Sequence, residues 1–146
     1  VIDIGVTAII ICSSLTVALA QRLARKLCTE CKKKDTPNER EKKIIDEVAL
    51  RIKEKNGTTI QTEHIWRSAG CSVCNNSGFK GRVGIFEAVL MTPEIEALLD
   101  TIPSEREISE VAKKQGILNM REDGIEKIMN GITSFDEVLR VVDLTH

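Results

Sequence analysis

Apolar positions recur along the chain with changing period, and each change of period predicts an element. Leu15, Leu19, Leu23 and Leu27 fall at four-residue steps with Ala18 and Ala20 beside them. With Ser14 as N-cap, that spacing predicts an amphipathic helix over 15–27 whose leucine stripe needs a partner surface. Gln21, Arg22 and Arg25 then face away from the stripe, either solvated or aimed at a neighbouring subunit or nucleotide. Residues 1–11 are apolar without a strong period, as in a strand or buried turn of a larger core. Thr36-Pro37-Asn38-Glu39 reads as a helix start with Thr36 as cap, and Ile44, Ile45, Val48, Ala49 and Ile52 mark one face before Asn56-Gly57 stops it. The β-branched 58–60 and the segment 65–67 are short extended pieces. Residues 82–90 have strand composition, with Val83 and Ile85 on one face, Phe86 on the other, and Gly84 marking a bulge or a close approach. The last third is helical. Thr92-Pro93 opens one helix to Leu99, Ser104 and Glu107 cap a second that ends at Gly116, 121–130 form a third closed by Gly131, and Ser134 with Glu137 caps a fourth carrying Val138, Leu139 and Val142. The expected fold class is α+β, mainly helical: a small cysteine-knuckle subdomain with a short antiparallel strand pair, then a C-terminal bundle of short helices.

Two Cys-x-x-Cys pairs, Cys28/Cys31 and Cys71/Cys74, interrupt this pattern. In such a turn both sulfurs point across a tight knuckle, so each pair supplies two corners of a tetrahedron. Four thiolates suit zinc, with iron as the competitor, and they leave no open position for water or substrate, which makes the site structural and not a Lewis acid. The interval from Cys31 to Cys71 is longer than in a compact zinc ribbon and has room for a helix and a strand. A redox dithiol or structural disulfides are the alternatives; neither pair sits at the strand-to-helix junction of a βαβ pattern. Cys12, in an apolar run, reads as a small core residue, and His64 as a surface or packing residue in place of a ligand. The loop 75–81, Asn-Asn-Ser-Gly-Phe-Lys-Gly, accepts positive φ but lacks the pattern of a phosphate-binding loop.

Composition narrows the function classes. With 146 residues, 42% of them hydrophobic and 29% charged, the chain has the make-up of one ordinary globular domain or two small ones. A formal net charge of −1, three Phe and one Trp offer little to nucleic acid. Lys26, Lys32, Lys33, Lys34, Lys80 and Arg82 lie near the cysteines in sequence, where they offset thiolate charge or form a solvated face. Cysteines kept as thiolates indicate a reducing compartment, the cytoplasm. The chain starts at Val1 without a methionine, which predicts a fragment or an internal start. The apolar stretch 6–20 is too short for a membrane span, and its basic cluster, Arg22, Arg25 and Lys26, follows it where a signal peptide needs it in front. No nucleophile, base and oxyanion set can be assembled, so the chain alone is not read as an enzyme.

Taken in order, Asp3-Ile-Gly-Val, Ser13-Ser-Leu, Ala20-Gln-Arg-Leu-Ala-Arg-Lys-Leu-Cys28-x-x-Cys31, Gly70-Cys-x-x-Cys74-x-x-Ser-Gly78-Phe-Lys-Gly-Arg-x-Gly-Ile-Phe-Glu87, Met120-Arg-Glu-Asp-Gly124 and Gly131-Ile-Thr resemble the C-terminal part of the type II secretion and type IV pilus-assembly ATPases. The tetracysteine block with its Gly-Phe-Lys-Gly-Arg strand is the specific part. The resemblance implies a cytoplasmic hexameric motor, peripheral to the inner membrane, whose partners are its other subunits and an inner-membrane platform protein; nucleic acid is not expected. It implies Zn2+ held by Cys28, Cys31, Cys71 and Cys74, with ATP and Mg2+ only in the intact parent. The family's P-loop, acidic Mg-binding segments and histidine box lie upstream of the matching region, so this piece alone is not expected to hydrolyse ATP. By the same resemblance, 1–27 end the ATPase core, 28–91 form the zinc-binding subdomain and 92–146 a helical subdomain. The further expectation is that the metal pins the helix 15–27 against the strand 82–90. The competing reading is a free-standing zinc module that binds a protein partner or nucleic acid.

Overall fold

Of the leucines at four-residue steps, Leu19, Leu23 and Leu27 lie in a strand and not a helix, and Leu15 precedes it. In the computed structural model, which describes residues 14–99, 101 and 103–144, β1 runs Val17–Leu27 and pairs with β4, Phe79–Leu90. A step of four is also two pleats of a strand, so the leucine spacing fits either element, and the partner strand decides. Backbone bonds at the two ends, Cys28 N–H to the Gly78 carbonyl and Met91 N–H to the Thr16 carbonyl, both 2.9 Å, make the strands antiparallel. Between them in sequence come β2 (Lys33–Asp35), α1 (Glu39–Asn56), β3 (Ile65–Arg67) and a 3-10 turn at Ser72–Cys74. After β4 follow α2 (Pro93–Leu99), α3 (Glu105–Lys113), α4 (Met120–Met129) and α5 (Phe135–Val141), so the chain is α+β with more helix than strand. The expectations for Cys12 and for 1–11 lie outside the described residues.

The described residues separate into two units. The larger holds 21–87 and 118–144. Its core brings Ile44, Ile45, Val48 and Ile52 of α1 together with Ile65 of β3, Ile85 of β4, Ile125 and Ile128 of α4, and Phe135 and Val138 of α5. Each fully buried branched side chain stabilises by about 1.5–3 kcal/mol relative to exposure, so this core is substantial without any metal. The short β2–β3 pair is antiparallel, Lys34 opposite Trp66. It is tied to α1 where Arg67 grips the buried Glu41 through both terminal guanidinium nitrogens, at 2.9 and 2.8 Å, and Asp35 through Nε at 2.7 Å. The α1 cap is Asn38, not Thr36: Asn38 and Glu41 make the reciprocal box, each bond 2.9 Å. Gly57 ends the helix, as its sequence indicates.

In the smaller unit, described over 14–20 and 88–117 apart from 100 and 102, α2 and α3 pack together and bury Ile95 and Leu99. Ser104 and Glu107 form the expected capping box of α3, whose Ile108, Val111 and Ala112 are half-buried. The Gln115 side-chain amide donates to the Leu90 carbonyl at 2.9 Å and accepts its N–H at 3.0 Å, filling the place of a neighbouring strand. No helix among the described residues is long and apolar enough to cross a membrane.

Candidate metal centre

The β1–β4 ladder brings the two cysteine pairs together. Cys28 is the residue after β1, and Cys74 lies just ahead of β4, so closing the ladder places the first knuckle against the second. The second knuckle is a 3-10 turn, Ser72–Cys74, turned back by Asn75 (φ 50°) and Asn76 (φ 58°), a residue type that tolerates the left-handed region. All four sulfurs lie within 4.8 Å of one another, with Cys28–Cys71 at 3.9 Å, Cys31–Cys74 at 3.8 Å and Cys71–Cys74 at 3.7 Å. Metal–thiolate bonds of about 2.3 Å in a tetrahedron put sulfurs about 3.8 Å apart, so the observed edges fit one ion. The four are free thiols, and a disulfide needs sulfurs about 2 Å apart. The donor set therefore fits a metal ion, and no other such group occurs among the described residues. His64 is exposed and stands beside a shallow hollow with Lys34, Trp66 and Met129, apart from the sulfurs.

Backbone donors distinguish the sulfurs. Burial pushes the Cys74 thiol up, but N–H donors from Cys71 and Gly78, both 3.2 Å from its Sγ, together with the thiols of Cys71 and Cys31, bring it down to about 6. Cys31 goes the other way: burial raises it, the Gly70 N–H opposes, and the three facing thiols add to the rise, to about 11.

Around the centre, the first knuckle grips the loop between α4 and α5. Lys32, directly after Cys31, donates to the Gly131 carbonyl at 2.8 Å and lies 4.6 Å from the centroid of the Trp66 ring. Leu27 N–H donates to the Ile132 carbonyl at 2.9 Å, and the Thr133 hydroxyl to the Arg25 carbonyl at 2.8 Å. Arg25 is aimed at this chain's own Glu137 at 2.6 Å and stacks over Phe79 at 4.2 Å. Sequence reasoning placed Lys32 near the cysteines as compensating charge but did not find its bond to Gly131, and it missed Trp66, Gly131 and Glu137 as supports of the centre because their partners are distant in the chain.

A family model described as Type II/IV secretion system protein matches residues 1–140. Among similar proteins, the type II secretion system protein HxcR of Pseudomonas aeruginosa is 35% identical over 140 residues, 96% of this chain and 24% of its own length. The type IV pilus assembly ATPase PilB of the same organism is 39% identical over 141 residues, 96% of this chain and 23% of its own. The type II secretion system ATPase E of Vibrio cholerae is 33% identical over 139 residues, 95% and 25% respectively. The chain thus spans about a quarter of the length of the relatives it matches. A match over nearly its whole length, carrying a four-thiol cluster, shows that the chain belongs to the type II/IV secretion system protein family.

Proposed function

We propose that this chain is the C-terminal metal-binding and helical region of a cytoplasmic hexameric ATPase that powers type II protein secretion or type IV pilus assembly, and that Cys28, Cys31, Cys71 and Cys74 hold a structural zinc ion. The four free thiols spaced as the edges of one tetrahedron, in a chain of this family, carry the reading. The segments 1–27, 28–91 and 92–146 then correspond to the end of the ATPase core, the zinc-binding subdomain and the helical subdomain. ATP and Mg2+ belong to the intact parent, and the partners are its other subunits and an inner-membrane platform protein.

Zinc held by four protein thiolates contributes binding energy to the fold and has no place for a substrate. The chain's own residues make that energy mechanically useful. The knuckles close the end of the β1–β4 ladder, in place of the helix–strand joint expected from sequence, while Arg25, Leu27 and Lys32 hold the loop 131–133 and the start of α5. Displacement of β1 in the motor is then passed to α4 and α5 through hydrogen bonds and not lost in a loose joint.

The test is elemental analysis of protein purified without added metal, with a thiol count in parallel. One zinc per chain, and its loss in Cys71→Ser with a lower thermal midpoint, is the expected result. No metal and all five cysteines reactive would remove the site. Binding to a secretion ATPase core supports the motor assignment, whereas salt-dependent binding to DNA or RNA would replace it with a free-standing module.

A further inference from the structure

Gly78 is buried, and both sides of its backbone serve the cysteine cluster. Its N–H donates to Cys74 Sγ at 3.2 Å, and its carbonyl accepts the Cys28 N–H at 2.9 Å. The sulfur belongs to the second pair and the amide to the first, so one residue bridges two knuckles that are far apart in sequence. Cys71 N–H also reaches Cys74 Sγ, but that bond stays within its own knuckle. The bridge admits only glycine. Its φ is +74°, where L side chains are strained, and a Cβ would lie 2.5 Å from the Ser68 Cβ and 3.2 Å from its Cα. The next turn is fixed as well: the Ser77 hydroxyl donates to the Cys74 carbonyl at 2.6 Å, and β4 starts at Phe79. An N–H aimed at a thiolate is a charge-assisted bond, and a donor of this kind orients the ligand before the ion arrives.

We infer that Gly78 is a positioning residue of the metal centre: its backbone holds the Cys71–Cys74 knuckle in register with Cys28 and donates to the Cys74 thiolate, so that metal affinity depends on it beyond its share in fold stability. The inference rests on the reading of the four cysteines as a metal site. It assigns to this glycine a selectivity that its strain alone does not explain, because Gly57 has the same φ of +74° at the end of α1 with open space around a Cβ and no part in the cluster.

The first experiment uses the unaltered 146-residue chain loaded with cadmium-113. Nuclear magnetic resonance should show scalar coupling from the Gly78 amide proton to the metal through Cys74 Sγ; a loaded chain without that coupling overturns the inference. The second compares zinc affinity, by competition with a chromophoric chelator, in Gly78→Ala and Gly57→Ala. Both substitutions should lower the thermal midpoint of the metal-free chain, while only Gly78→Ala weakens zinc, by about 10- to 100-fold. Wild-type affinity in Gly78→Ala, or an equal loss in Gly57→Ala, overturns the inference. If the unaltered chain takes up neither cadmium nor zinc, it is the metal-site reading that fails, a result distinct from metal bound without the Gly78 coupling.

Discussion

Glu137 shows how one side chain can be drawn away from its local role by a distant partner. Ser134 and Glu137 read as a capping box, and Ser134 does accept the Glu137 N–H, yet the Glu137 carboxylate goes to β1. It is buried and accepts the Arg25 backbone N–H at 3.0 Å, the Arg25 guanidinium at 2.6 Å and Arg140 at 3.1 Å. The Arg25 guanidinium holds the carboxyl at about 2, below its ordinary 4.5, and the Arg25 N–H and Arg140 help against burial, which acts the other way. A carboxylate whose folded value is lowered stabilises the protein above the unfolded value, and that contribution fades as pH falls from about 4.5 towards about 2. Glu137→Gln, which replaces one oxygen of a buried carboxylate with an amide that cannot accept from these donors, should therefore cost about 1–3 kcal/mol at neutral pH. In urea titrations of both proteins in the same metal state, the difference should shrink as the pH is lowered through that window. A difference constant from pH 7 to pH 2 would show that the charge has no part in holding α5 to β1.

At the scale of elements, what could be read from the sequence was what depends on neighbours in the chain. The helices after Pro93, the apolar face of α1, its stop at Gly57 and the positive φ of Asn75 and Asn76 are set by caps, turns and a 3.6-residue period, all local. The cysteine cluster was legible for the same reason, since each knuckle is a four-residue motif. β1 was not, because Leu15, Leu19, Leu23 and Leu27 satisfy helix and strand alike, and the deciding bonds go to β4, across most of the larger unit's sequence. The outer bonds of the ladder are equally remote from any motif: Asp123 takes the Phe86 N–H at 2.8 Å, and Gln115 takes both polar groups of Leu90. Such side-chain cover blunts a strand edge that would otherwise pair with another chain. The misplaced start of α1 offers a direct measurement. Thr36 precedes the helix, while Asn38 accepts the Glu41 N–H and Glu41 returns to the Asn38 N–H. Asn38→Ala should cost about 1 kcal/mol in thermal or urea unfolding, and Thr36→Ala close to none. The reverse order would place the cap where the sequence alone suggested it.

For the whole molecule, the question is how far the fold of the larger unit depends on the proposed zinc ion. Small zinc modules unfold without their ion because they have little else to bury. Here the cluster of Ile45, Val48, Ile52, Ile65, Ile85, Ile125, Ile128 and Val138 is fully buried and contains no cysteine. Those side chains come from α1, β3, β4, α4 and α5, so the core is joined by packing across elements and not only through the knuckles. Removing the metal should then loosen the ladder end and the loop 75–78 while the helices remain. The single tryptophan is placed to report this, because the Trp66 ring carries Lys32, the residue after Cys31, and crowds Gly131, where a Cβ would come within 2.6 Å of the ring. Chelation should lower the thermal midpoint, shift Trp66 emission and open the segment after Cys74 to protease, with most of the far-ultraviolet helical signal retained. Loss of that signal together with the metal would mean that the core cannot stand without the knuckles. Unchanged emission would mean that the first knuckle does not govern the loop at 131–133, and with it the route from β1 to the last two helices would be lost.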